Sequence, residues 1–235
     1  MSWLVASYQF TSPFSLKSSL STSSGGKTHL IPTMYAIKMA LIDASFRCGL
    51  DGEKEFEWIK TLDIRMKPPK KANVQNSFVK IQKEARSEVR KEKPDQYFSS
   101  TVTLREYVIF EGNLSIAFKV NSINRQQQEK LETLLTHLNQ LGKRGCFIQL
   151  QHFSYEEALQ GAYTFLLQDT EIHMSLALTV HYLDDMGEGA KFSSINSYDE
   201  TSAKLGKDRI LIPVGVPYQL SKSSRAFTYY ERMDD

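Results

Sequence analysis

The spacing of apolar side chains changes repeatedly along this chain, and each change predicts a new element. Trp3 to Phe10 reads as a strand, and the Ser-rich run from Thr11 to Thr28, ending Gly25-Gly26-Lys27-Thr28, as a loop. Thr33 offers a helix N-cap ahead of the stripe Met34, Ile37, Leu41 and Ala44, with a stop near Gly49. Glu53 to Lys60 suits a short second helix, and Leu62, Ile64 and Met66 alternate as a strand that ends at Pro68-Pro69. Further on, Ser100–Phe110 and Leu114–Val120 are strand-like runs joined by Glu111-Gly112-Asn113, a turn of hairpin composition. Arg125 to Leu141 is the clearest helix, with Leu131, Leu134, Leu135, Leu138 and Leu141 on one face and Gly142 as its stop. A strand from Gly145 to Phe153 follows.

That order is strand, helix, strand, strand, helix, strand. It predicts an α+β chain with a ferredoxin-like (RRM-like) domain, in which a four-stranded antiparallel sheet carries both helices on one face. The opposite, bare face is one that many RNA-binding modules use. The last third differs in character. Ser154-Tyr155-Glu156-Glu157 has capping-box form and predicts a helix through Leu167. Ile172, Met174, Leu176, Leu178, Val180 and Tyr182 then alternate with polar residues as a half-buried strand, placing His173 and His181 on its solvated face. Asp208–Val214 and Phe227–Glu231 are further strands. The expected organisation is a domain over residues 1–153, with an inserted basic arm at about 68–98, and a β-rich appendage over 154–235.

Composition narrows the class. Aromatic content of 11% with a net charge of +2 excludes a disordered tail protein, and no apolar run reaches the roughly 18 residues that spanning a bilayer requires. The start MSWLVASYQF has no basic leader region, and Cys48 and Cys146 form no framework spacing, so a cytoplasmic location in a reducing compartment is expected. The small net charge conceals an asymmetry. Between Arg65 and Lys93 ten basic residues face three acidic ones, a segment of +7, while Asp169 to Glu200 holds seven acidic residues and one Lys. Such polarity creates an attractive field for polyanions over part of the surface only. Glu84, Glu88 and Glu92 recur at four-residue spacing, so the same segment also reads as a solvated helix laced with ion pairs.

Candidate chemistry is sparse. Gly25-Gly26-Lys27-Thr28 lacks the first glycine of a phosphate loop, since Ser21 stands there, and Leu30-Ile31-Pro32 separate the Lys from the helix. Lys27 and His29 remain available to a nucleic-acid phosphate. The five histidines share no zinc spacing with either cysteine, so no metal or other cofactor is expected. The neighbouring carboxylates Asp184-Asp185 and Glu156-Glu157 point in different directions and do not make an acid/base pair. Gly142-Lys143-Arg144-Gly145 is a glycine-flanked basic pair that lets backbone and cations approach a phosphodiester; it is equally a helix C-cap with dipole-matched cations. Tyr97-Phe98 can stack on bases or begin the core of the next strand.

The strand, the Ser-rich loop, Ile31-Pro32-Thr33-Met34-Tyr35-Ala36-Ile37-Lys38-Met39-Ala40-Leu41 and Thr103-Leu104-Arg105-Glu106-Tyr107-Val108 together resemble the small subunit of type I CRISPR Cascade complexes, which holds the five-prime handle of CRISPR RNA and belongs to the RAMP superfamily. The resemblance runs over about residues 1–150. It implies a ferredoxin-like core with a hairpin thumb inserted at Pro68 to Phe98. It also implies as partners the guide RNA, the backbone RAMP subunits and the large subunit, with target DNA met indirectly and no membrane. One branch of the family cuts precursor RNA with a Tyr and a Lys-His pair. No Lys-His dipeptide occurs here, and Lys27 and His29 are separated by Thr28. The expectation is therefore a non-catalytic RNA-binding scaffold. Its contacts would come from Lys17, Lys27, His29, Lys67, Lys70, Lys71, Lys80, Lys83, Arg86, Arg90, Tyr97, Arg105, Lys143 and Arg144. The alternative is a metal-independent endoribonuclease with His29 as general acid or base.

Overall fold

In the computed structural model, residues 2–21, 25–168, 178–196, 198–199 and 201–233 are described. Strand β1 (Trp3–Phe10) is followed by the two-residue β2 (Gly25–Gly26) and by α1 (Met34–Arg47). The Thr33 hydroxyl accepts from the Ala36 amide, satisfying one donor that the first turn leaves free. Helix α2 (Gly52–Ile59), capped by Asp51, leads into β3 (Ile64–Lys67). Next come β4 (Lys71–Glu84), the short α3 (Ser87–Glu92) and β5 (Phe98–Glu111). Then β6 (Leu114–Lys119), α4 (Arg125–His137) and β7 (Ile148–Glu156) complete the first two-thirds. The remainder holds β8 (Phe165–Leu166), β9 (Thr179–Met186), α5 (Phe192–Ile195), β10 (Arg209–Val216), β11 (Tyr218–Ser223) and β12 (Phe227–Arg232).

The chain is a mixed α+β protein with several antiparallel sheets and few helices. A four-stranded antiparallel sheet has the order β3-β6-β1-β7. Alternate residues of β1 (Leu4, Ala6 and Tyr8) are fully buried beside Leu131, Leu134 and Leu135 of α4 and Ile37 and Leu41 of α1. The Tyr8 hydroxyl donates to the Leu135 carbonyl at 2.8 Å, so the core's largest polar group is paired. A second sheet, β11-β12-β4-β5-β2, is built on the β4–β5 hairpin, and a third, β8-β10-β9, packs β9 against α1. Lys38 of α1, only 2% exposed, locks that packing by pairing with Asp185 at 2.7 Å and donating to the Lys60 carbonyl at 2.8 Å. Asp184 points the other way, to Arg209.

Several expectations are corrected. Residues 80–84 continue a β-hairpin arm, and its return strand runs on to Glu111; helix is confined to the tip at Ser87–Glu92. Ser154-Tyr155-Glu156 opens no helix but extends β7, with Tyr155 opposite Leu4, so a boundary at 153/154 falls inside a strand. The C-terminal third does not stand apart, because β12 pairs with β4. Helix α4 ends at His137, before the Gly142 stop. Residues 172–177 of the long alternating run, with His173, lie outside the described residues; its described end is β9. Among the described residues no helix is long and apolar enough to cross a membrane.

Candidate nucleic-acid interface

The arm is a fourteen-residue strand paired with another of equal length, in register from Lys71↔Glu111 to Glu84↔Phe98. Strand β12 covers its outer edge only as far as Gln75, and β2 covers the other only at Leu104 and Arg105. Beyond those points both faces meet solvent. This is why β4 carries no buried alternation past Val74 and why its sequence also reads as a helix. On one face of the free portion Phe78 is 79% exposed, with Val102 opposite Lys80 and Phe98 opposite Glu84. Tyr97 is also exposed. Side chains of that size left in water on a two-stranded ribbon mark a contact surface.

The basic residues fall into three groups. Lys80, Lys83 and Arg86, with Lys91 and Lys93, are exposed on the distal arm and form no ion pair with any described residue. Lys70 is exposed at its root. Two are already partnered: Lys71 reaches Glu111 at 3.3 Å, which raises its pKa, and Arg90 bonds Glu84. The others lie elsewhere. Lys17 and Lys27 are exposed on paired segments bridged at Lys17↔Thr28. Lys143 and Arg144 are exposed on a turn in which Gly142 has φ +92°; the Lys143 amide donates to the Ser15 carbonyl at 3.0 Å. A Cβ at Gly142 would also sit 2.7 Å from the Phe14 ring, so two constraints select glycine there.

Gly26 has a local explanation that replaces the phosphate-loop reading. It pairs with Arg105 in β5, and a Cβ there would lie 2.6 Å from Arg105 Cδ, so the glycine makes room for the arginine stem. Arg105 is half-buried, with its Nε unpartnered. His29 is not on the surface at all. It is 3% exposed, its ring centroid lies 5.7 Å from that of His181, and burial lowers its pKa. His181 is lowered further, to about 4, by burial and by His29. The expected solvent exposure of His181, and of His29 as a phosphate contact, is thus corrected: tertiary packing of β9 covers both rings.

The sheet face away from the helices is not bare. Residues 157–163 leave β7 at one edge and reach Thr164 at the other, where its amide donates to the Met66 carbonyl at 2.7 Å and its hydroxyl accepts from the Met66 amide at 2.9 Å. Beneath this strap the register aligns Lys67, Ser115, Ser7 and His152 in one row across all four strands. A trough of about 700 Å³ separates strap and sheet. Lys67 therefore serves this trough and not the arm: its Nζ lies 3.4 Å from the Gln160 carbonyl and 6.0 Å from the Tyr163 ring centroid. Neither the strap nor the row carried a signal in the linear pattern, since both arise from strand register. Among the described residues no cluster of His, Cys, Asp and Glu suited to a metal occurs.

No protein-family model matches the chain. Among characterised proteins, it is 22% identical over 210 residues to a CRISPR-associated protein Cas5 of Archaeoglobus fulgidus, covering 87% of this chain and 88% of that protein. A crystal structure of a CRISPR protein from Archaeoglobus fulgidus shares its fold, with a TM-score of 0.50 at 12% identity over 99% of this chain and 92% of that one. A chain of a CRISPR RNA-guided surveillance complex aligns with a TM-score of 0.46 at 14% identity, covering 99% and 90%. The chain therefore resembles Cas5, as its motifs imply. The likeness extends past residue 150 into the C-terminal third, because 210 residues are aligned.

Proposed function

We propose that this chain is a non-catalytic RNA-binding subunit of a CRISPR effector complex of the Cascade type, holding the five-prime handle of the guide RNA and capping the assembly in the cytoplasm. The reading rests on Cas5-like sequence over most of the chain and on one observation above others: a solvated hairpin arm whose distal cations are unpaired among the described residues and whose one face exposes Phe78, Val102 and Phe98. Cations of this kind neutralise phosphates, and exposed rings stack on splayed bases. The strand order β3-β6-β1-β7, with the arm inserted between β3 and β6, supports the reading of a ferredoxin-like core with a thumb. Backbone RAMP subunits and the large subunit would flank it, and target DNA would be met only through the guide. Burial of His29 supports the non-catalytic reading, because a general acid or base at 3% exposure cannot meet a phosphodiester.

The test is salt-dependent binding of a fluorescent handle RNA. Each single-strand phosphate neutralised contributes about 0.7 to the slope of log affinity against log salt. Replacing Lys80, Lys83, Arg86 and Lys93 by Ala should flatten that slope by about 2–3 in total. An unchanged slope overturns the assignment, and discrete RNA fragments formed in EDTA would favour the endoribonuclease.

A further inference from the structure

The solvent side of the second sheet is aromatic and basic. Along β4 and β5, Ala72, Val74 and Val108 turn inward and are buried, so Asn73, Gln75, Tyr107 and Ile109 turn outward. Register with β12 then assembles two rows across three strands: Phe227, Gln75 and Tyr107, and beside it Tyr229, Asn73 and Ile109. Phe227 and Ile109 are exposed, Tyr107 and Tyr229 are half-buried, and none of the three rings is stacked on another ring among the described residues. Phe227 and Tyr107 stand two inter-strand steps apart, about 9.6 Å, and Phe227 and Tyr229 lie ~6.8 Å apart along their strand. The next row places Arg105 opposite Ser77. Gly26 lies against the Arg105 stem, yet that half-buried guanidinium has no acceptor among the described residues. Lys222, opposite Tyr229, and Arg225, in the β11–β12 turn, are exposed and form no ion pair with any described residue. The carboxylates of this face are Glu231 and Glu111, both in the row of Lys71, which already holds Glu111.

We infer that this face is a stacking platform for unpaired bases of single-stranded RNA at the root of the arm. Phe227, Tyr107 and Tyr229 each offer a ring face to one base. Arg105, Lys222 and Arg225 take the intervening phosphates. Gln75 and Ser77, whose side chains bond to no described residue, supply donors and acceptors for a 2′-hydroxyl, which favours RNA over DNA. The surplus of cations favours a polyanion over a protein partner. The platform is also continuous with the arm, since both are built on β4 and β5. It rests on the RNA-binding reading and adds a second surface to it, on the opposite face of the hairpin from Phe78.

The experiment is anisotropy titration of the full chain with a short fluorescent RNA, its DNA counterpart and an abasic RNA of equal length. Phe227→Ser with Tyr107→Ser should weaken RNA binding about a hundredfold, about tenfold for each ring, at an unchanged salt slope. The abasic RNA should bind the variant and the wild type alike. Arg105→Gln should instead lower the slope by about 0.7. Should the double variant not fold, Phe227→Ser alone, at a ring 36% exposed, makes the same test at about tenfold. The four-alanine arm variant should keep the ring effect while its slope flattens. Ring variants that bind RNA like the wild type, beside a flattened slope in the arm variant, overturn the platform, leave it a protein surface and let the RNA-binding reading stand. No effect of either variant overturns both. Equal loss on abasic RNA overturns stacking, and DNA bound as tightly as RNA overturns the assignment to RNA.

Discussion

Replacing Lys38 by Met would expose how much of the fold depends on one buried cation. The Lys38 ammonium is 2% exposed and serves two partners, Asp185 at 2.7 Å and the Lys60 carbonyl at 2.8 Å. Methionine keeps the stem's volume and removes the charge. Breaking a buried pair from one side costs about 3–5 kcal/mol, since the other charge stays uncompensated, and the orphaned carbonyl adds ~1 kcal/mol. Burial already raises the Asp185 pKa despite Lys38, and removing Lys38 takes away its largest opposing influence. A carboxyl with a folded pKa above its unfolded one binds more protons when folded, so stability falls as pH rises between the two values. Urea unfolding at pH 5 and pH 8 tests this. With a slope of about 3 kcal/mol/M, the variant's midpoint should drop by about 1.3–2 M at pH 8 and by less at pH 5. Adding Asp185→Asn should recover most of the loss at pH 8. A deficit below about 1 kcal/mol, equal at both pH values, would refute the account.

Acid should act on the fold through the histidine pair. His181 is lowered from 6.5 to about 4, so the unfolded chain binds the extra proton first. Stability present above pH 6.5 should fall towards pH 4 by about 3 kcal/mol, and His181→Leu should remove part of that slope in unfolding titrations. Phe78→Ser should leave the melting temperature nearly unchanged, because the ring is 79% exposed, yet weaken handle-RNA binding by about 1–3 kcal/mol in anisotropy titrations. Tyr218→Phe removes a 2.7 Å bond from a fully buried hydroxyl to the Pro69 carbonyl at the root of the arm. It should cost about 1 kcal/mol in urea unfolding.

What could be read in advance follows from where the physics is local. The Thr33 cap and the Leu131, Leu134 and Leu135 face of α4 depend on neighbours in sequence and stand where the pattern puts them. The Glu111-Gly112-Asn113 turn, by contrast, joins strands of two different sheets and closes no hairpin. Pattern failed where partners come from afar. The arm buries no residue of β4 beyond Val74, so its alternation is only between half-buried and exposed positions, and charge spacing imitates a helix. Ser154-Tyr155-Glu156 has the composition of a cap, but a β1 partner claims it. His29 and His181 look like surface residues until β9 packs down and brings the two rings together. Of the candidate interface, the basic arm was legible as charge. The strapped trough was not, because Lys67, Ser115, Ser7 and His152 share nothing but a register.

Strand β12 has the wider consequence. By laying Phe227 to Glu231 against Gln75 to Lys71, the chain's last strand splints the first few residues of an arm that begins about 150 positions earlier. How far the arm swings free is therefore set by where that splint stops. Lengthening or shortening the β11–β12 hairpin would tune the arm's stiffness without touching one residue of its distal face.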